Sequence, residues 1–446
     1  MLVAGTPYWA CWSWFLSFYV SGELDARKGN LSICFISPPM ESQNHHSQPP
    51  TIGTTFLRTC FNGVNTLSGL GILSVPYALS KGGWISILLL FLVAIVCFYT
   101  GLLLKRCMNS DPLIKTYPDI GQMAFGRKGR TVISTFLYLE LFLVSVAFLI
   151  MGGDNLHKLF PKETFDIFGM EVGGRKLFIS VTALVVLPTT WLRSLGALAY
   201  VSASGVLALL ILLLAVLWGG AFDGIGFHES GEIWNWKGLP TAISLFSFCY
   251  CGHSVFPTLC NSMRDKSKFP KVLLVCFIFS TISYGSMAIF GYLMFGEHIA
   301  PEVTLNLPTK KISSKIAIYT TLLFPVAKYA LIVAPIVISV EETLPFQESK
   351  MMSYLIRTCL VISTVVVALS VPFFGYVMSF VGAFSGITLS IVFPCLCYWK
   401  IALKFKKFGV EKTVILMILL IGTIIAVVGT YTASTDIINE VQHKRI

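Results

Sequence analysis

The chain has 446 residues, of which 55% are hydrophobic and only 12% charged, about half the charged share of a typical soluble domain. Too little polar surface is available to cover a water-soluble fold of this length. The net charge of +11 does not point to nucleic acid, because the Lys and Arg residues sit in short loops between apolar stretches rather than along one helix face.

The first 50 residues stand apart. Ser37 to Pro50 is rich in Ser, Pro, Gln and His and has too little apolar content to fold alone, so 1–50 reads as a mobile, cytosolic N-terminal tail. Within it, Tyr8 to Val20 is aromatic and apolar, but about 13 residues without a basic flank fit neither a spanning helix nor a signal peptide. An interfacial segment fits better. The sequon Asn30-Leu-Ser lies in this tail and is expected to stay unmodified.

A bilayer core takes about 20 apolar residues per helix, and eleven stretches qualify: 56–80, 83–105, 131–152, 177–192, 197–219, 238–262, 270–295, 315–340, 353–371, 375–399 and 411–432. They make an all-α polytopic membrane domain over 51–435, followed by a short C-terminal tail, 436–446. With the N-terminus inside, about 21 of the 33 Lys and Arg fall on inward segments and about 11 on outward ones, as the positive-inside bias requires. The C-terminus then lies on the far side. The 12 Cys lie mostly within apolar stretches, and no disulfide framework is implied. Cys249-x-Cys251 lacks the second Cys or His pair a metal site needs, so no metal is expected.

The first span carries Asn65-Thr66-Leu67-Ser68-Gly69-Leu70-Gly71 and then Pro76-Tyr77 in an otherwise apolar helix. Two glycines and a proline there predict a break, and main-chain groups freed at that depth are tolerated only where they are buried in protein or line a cavity. The sixth span repeats the device as Phe248-Cys249-Tyr250-Cys251-Gly252-His253-Ser254, ending in Pro257. In both, a glycine precedes a proline by five positions, Gly71 to Pro76 and Gly252 to Pro257. Paired breaks five helices apart point to a transporter built from an inverted repeat, with its site between the halves. Candidate substrate-binding residues are therefore Asn65, Thr66, Leu67, Ser68, Gly69, Gly71, Phe248, Tyr250, Cys251, Gly252, His253 and Ser254. Phe248 and Tyr250 are either pocket walls or plain helix packing.

Asn65 to Tyr77 resembles the N-x-x-x-G-x-G-I-L-x-x-P-Y signature of the amino acid/auxin permease family. Gly82-Gly83-Trp84 and the pair Glu341-Glu342 resemble its vacuolar amino-acid transporter branch. The resemblance covers about 51–435 by hydropathy layout; the first 50 residues do not match the longer, acidic start usual in that branch. It implies a LeuT-like 5+5 inverted repeat with an eleventh transmembrane helix, amino acids and protons as partners, and the vacuolar membrane, multi-pass, as location. No cofactor is implied.

Ionisable residues inside spans cost about 2.5–3.5 kcal/mol each at the helix centre and default to functional hypotheses. Lys328 lies near the middle of the eighth span. In LeuT-like carriers the first and eighth helices form a sodium site, so an ammonium there either replaces the ion and exchanges the coupling proton or simply binds carbonyls of the broken first helix. Glu140, mid-way along the third span, is a proton site, a gate, a partner of another helix, or a buried neutral acid. His253 beside the sixth-span break either senses acidity or hydrogen-bonds the unwound main chain.

No phosphate loop, helical His/Glu metal pair or nucleophile elbow occurs, which argues against an enzyme and against ATP-driven pumping. The expected activity is proton-coupled, sodium-independent secondary transport of neutral amino acids, by a monomer in membrane lipid. The alternatives are plasma-membrane uptake of amino acids or auxin and, from another class, an amino-acid sensor without net transport.

Overall fold

The computed structural model describes residues 53–167, 170–191, 198–343, 350–371, 373–403 and 409–443. The expected tail over 1–50, with its Tyr8–Val20 segment and sequon, lies outside the described residues.

The first span is two helices, α1 Phe56–Leu67 and α2 Gly71–Gly82. Thr55 caps α1, its side chain accepting from the Arg58 N–H, and α1 stops at Ser68, whose ψ of 91° is extended. Pro76 lies inside α2, and its ring packs on Gly291, where an added Cβ would come within 2.6 Å of it. The sixth span is likewise divided, into α7 Leu239–Cys249 and α8 Phe256–Asn261. The second span is α3 Ile87–Met108, and the third belongs to α4 Tyr117–Leu159. Next come a hairpin, β1 Thr164–Ile167 and β2 Met170–Gly173, then α5 Gly174–Trp191 and α6 Leu198–Phe222. α7 is Leu239–Cys249, and α8 is Phe256–Asn261, with Pro257 in its first turn, where a missing N–H costs nothing. Then follow α9 Phe269–Phe295, α10 Ile312–Thr343 and α11 Lys350–Ser370. The tenth span runs from α12 Phe374–Val381 through π-helical turns at Gly382–Gly386 and Thr388–Val392 to α13 Phe393–Tyr398 and a third π turn at Trp399–Leu403. α14 is Val410–His443.

The all-α polytopic expectation holds, with the short hairpin as an addition. Eight of the described helices are long and apolar enough to cross a membrane. The other three expected spans are the two interrupted ones and α5, of 18 residues. α4 begins 14 residues before the expected 131 because Thr116 and Asp119 form a capping box; it turns sharply at Gly126, whose φ is 67°, a backbone conformation natural to glycine. The segment before that turn folds back, and an added Cβ on Gly121 would come within 2.8 Å of the Gly129 carbonyl. α14 continues past 435, so most of the expected tail is helical. Arg357, within the expected span 353–371, is buried in α11, where it donates to the Thr190 carbonyl at 2.6 Å and to Ser353 Oγ at 3.2 Å.

Two groups of helices emerge from the packing. α1, α2, α3, α7, α8 and α9 lie against one another; α4, α5, α10 and α11 do the same. α6 touches both α1 and α10, and the tenth span touches both α7 and α4. The breaks of the first and sixth spans sit within the first group, facing the second.

Candidate functional site at the paired helix breaks

The two breaks face each other through their glycines. A Cβ on Gly71 would lie 2.8 Å from Cys249 Sγ and 3.1 Å from its Cα, and one on Gly252 would lie 2.8 Å from Leu67. The last residue of α1 thus packs on the break of the sixth span, and the first residue of α2 on the end of α7. Gly69, between them, has nothing within 4 Å of its would-be Cβ and is half-buried. It borders open space at the centre of the pair.

A helix end leaves its last carbonyls without intrahelical donors, and at this depth each needs one. Lys328 on α10 supplies two: its ammonium donates to the Asn65 carbonyl at 3.1 Å and to the Ser68 carbonyl. Tyr284 on α9 donates its hydroxyl to the Leu67 carbonyl at 2.5 Å. The Val64 carbonyl accepts the Ser68 N–H. A cation at the carbonyl end of α1 also complements the helix dipole. At the start of α2 the polarity reverses, because the Gly71 and Ile72 N–H groups have no acceptor within their own helix.

The remaining candidates divide by where their polar atoms go. Asn65 Oδ1 and Ser68 Oγ are buried without hydrogen-bond partners, whereas the Thr66 hydroxyl is spent on the Asn62 carbonyl at 2.9 Å. Asn65 fits because Gly205 on α6 has no side chain; any Cβ there would collide with its amide. Phe248 is buried, with Gly382 of the first π turn packed on its Cβ. Tyr250 is fully buried, with its hydroxyl 2.9 Å from Thr281 and its ring stacked 5.7 Å from Phe277. Ser254 is half-buried ahead of α8.

Glu140 is buried on α4, one carboxyl oxygen without a partner, beside the Cys251 thiol, which itself donates to the Ser247 carbonyl at 3.3 Å. Ser390, in the second π turn, approaches the same thiol. The third, sixth and tenth spans therefore meet at a carboxyl. His253 is almost fully buried, and its Nε2 lies 3.0 Å from both the Cys97 carbonyl and Thr100 Oγ1 of α3. A carbonyl can only accept, so Nε2 carries the proton. The ring is fixed to α3 rather than to unwound main chain.

Tyr284 and Gly205 complete the site and were not singled out from the sequence. A hydroxyl-bearing aromatic amid the apolar seventh span was the available signal for the first. Nothing local marked the second.

The family described as transmembrane amino acid transporter protein matches residues 53–435. The chain is 51% identical to the amino acid transporter AVT1I of Arabidopsis thaliana, over 90% of this chain and 100% of that relative. It is 48% identical to AVT1J of the same plant, over 87% and 92% respectively, and 35% identical to AVT1H, over 87% and 91%. With a broken-helix site inside a many-helix membrane fold, and a match along nearly the whole described length, this chain belongs to the amino acid/auxin permease family of transmembrane amino acid transporters.

Proposed function

We propose that the protein is a secondary active transporter of neutral amino acids, proton-coupled and sodium-independent, in the vacuolar membrane. The observation that carries the reading is the Lys328 ammonium bound to the Asn65 and Ser68 carbonyls. It places a fixed cation where the first and eighth spans meet, the position at which the family resemblance implies a sodium site, and leaves a bound metal ion nothing to neutralise.

The substrate carboxylate then faces the free N–H groups at the start of α2, beside the open space at Gly69. Its ammonium is received by the unpartnered oxygens of Asn65 and Ser68. Neutral side chains are favoured because the ionisable groups named at the breaks are engaged: Lys328 by carbonyls, Glu140 beside Cys251, His253 by α3. Glu140 is the proton carrier of the three. It stands on α4, in one packing group, against Cys251 in the other, so its protonation state acts on a contact that changes when the groups rock against each other. Location at the vacuole rests on the resemblance of Gly82-Gly83-Trp84 and Glu341-Glu342 to that branch.

Uptake of labelled neutral amino acids into proteoliposomes under an imposed pH gradient, with and without sodium, tests this reading. Accumulation should follow the gradient and ignore sodium. Substrate binding by folded protein with no uptake under any gradient would replace the transporter with a sensor.

A further inference from the structure

Away from the breaks, a second group of buried ionisable residues lies where α4 ends and α5 begins, under a short helical turn at Val303–Asn306. Asp154 on α4 is 6% exposed and takes both arms of the Arg175 guanidinium, one at 2.6 Å. The next residue, Asn155, is fully buried and donates to Glu302 Oε2 at 2.5 Å and to the Met151 carbonyl at 2.9 Å. Glu302, immediately before the turn, is also fully buried. Its Oε1 has no donor, and through Oε2 the carboxyl is tied to Asn155, the residue beside Asp154, whose charge acts on it. Asn155 Oδ1 is likewise buried without a partner.

Two carboxylates in contact away from water cannot both stay charged. One guanidinium is present, and it is held in a fork on Asp154, so a second negative charge would be left uncompensated. Burial, and next the charge of Asp154, push the Glu302 carboxyl well above the usual carboxylate range. A fully buried carboxyl oxygen that lacks a donor, on a residue hydrogen-bonded to the neighbour of a second buried carboxyl, is the geometry expected where one proton serves the pair.

We propose that Asp154 and Glu302 form a proton-binding site that holds the Val303–Asn306 turn down on the helices beneath it. The turn packs on α2 from one helix group and on α4 and α10 from the other, so it bridges the two. Loss of the shared proton puts two like charges against each other and releases the turn. The loop-charge bias places this face on the non-cytosolic side, so the site responds to the pH of that compartment. Besides Arg175, the charged or titratable group acting on the pair among the described residues is His157, one turn further along α4, which acts on Asp154. On the other elements under the turn, Lys81 of α2 lies over the Tyr77 ring, Lys315 of α10 is exposed and Lys328 is bound at the break. This site does not depend on the substrate or coupling proposed above.

The test is hydrogen–deuterium exchange of the full chain in nanodiscs, followed at peptides covering 299–311 and corrected for the intrinsic pH dependence of exchange. Between about pH 5 and about pH 8, wild-type protection should fall about tenfold or more, the ratio one unit of pKa shift produces. Glu302→Gln keeps a neutral, hydrogen-bonding group and should stay protected throughout. A buried carboxylic acid C=O band in the infrared, present in wild type at neutral pH, should vanish in this variant. Should Glu302→Gln fail to fold, Asp154→Asn removes the like-charge pair and should also abolish the pH dependence. Wild-type protection that ignores pH, a Glu302→Gln variant that tracks wild type, or loss of the pH dependence in His157→Gln would each overturn the proposal.

Discussion

Lys328 on α10 and Ser68, which caps α1, are joined by a single ammonium–carbonyl hydrogen bond across the two helix groups. The same ammonium takes the Asn65 carbonyl, so one side chain closes most of an open helix end. Lys328→Ala leaves both carbonyls unpartnered, at about 1–3 kcal/mol each. Uptake in proteoliposomes should be abolished and the melting temperature in detergent should drop. Wild-type uptake by the alanine variant would remove the lysine from the mechanism.

Gly69 borders open space, so a side chain there meets no protein atom. Gly69→Val is expected to melt within a few degrees of wild type, since its cost is that of an ordinary surface-like substitution. Its valine would occupy the volume assigned to substrate, and KM for uptake should rise at least about tenfold, equivalent to about 1.4 kcal/mol. A large loss of stability with unchanged KM would mean that the space is not the substrate's.

Tyr284 contributes one hydroxyl to the Leu67 carbonyl and otherwise packs on Tyr250. In Tyr284→Phe the ring stays and the carbonyl loses its donor, so stability should fall by about 1–3 kcal/mol with no cavity created. Chemical denaturation or thermal melting of the purified variant reads this directly.

Glu140→Gln keeps the shape beside Cys251 and removes the titration. Exchange of labelled for unlabelled amino acid across a membrane needs no net proton movement and should persist. Gradient-driven accumulation, and the pH change recorded by a trapped dye during uptake, should disappear. Retention of both would return the coupling role to Lys328.

The paired breaks were legible because glycine and proline punctuate helices locally, and a repeated spacing is visible without knowing the fold. Lys328 was legible because charge is rare in a bilayer-spanning segment. The same reasoning could not orient Tyr250 toward α9 or assign His253 to α3, since a sequence pattern names a helix face but not the neighbour that covers it. It did not single out Arg357, within the expected span 353–371, because a charge near a span end ordinarily reaches solvent, whereas here the end of α5 supplies a buried carbonyl. Asp154 lies near the end of α4 and Arg175 at the start of α5, with Glu302 about 130 residues further along the chain, and only tertiary structure brings them together. The equal Gly–Pro spacing also concealed a difference: Pro76 lies inside α2, while Pro257 opens α8.

The π turns of the tenth span bear on how this helix tolerates insertion and deletion. A π turn accommodates one more residue than an α turn, and each residue of an α-helix advances by about 100°. A one-residue deletion at Gly382–Gly386 or Thr388–Val392 can therefore be absorbed by conversion to α-helix, leaving the residues beyond it on their original faces. The same deletion in the regular helix α9 would rotate everything downstream off its packing surface. Length variation among relatives within spanning segments should accordingly concentrate in the tenth, and helical-wheel alignment of that span should be restarted after each of its wide turns.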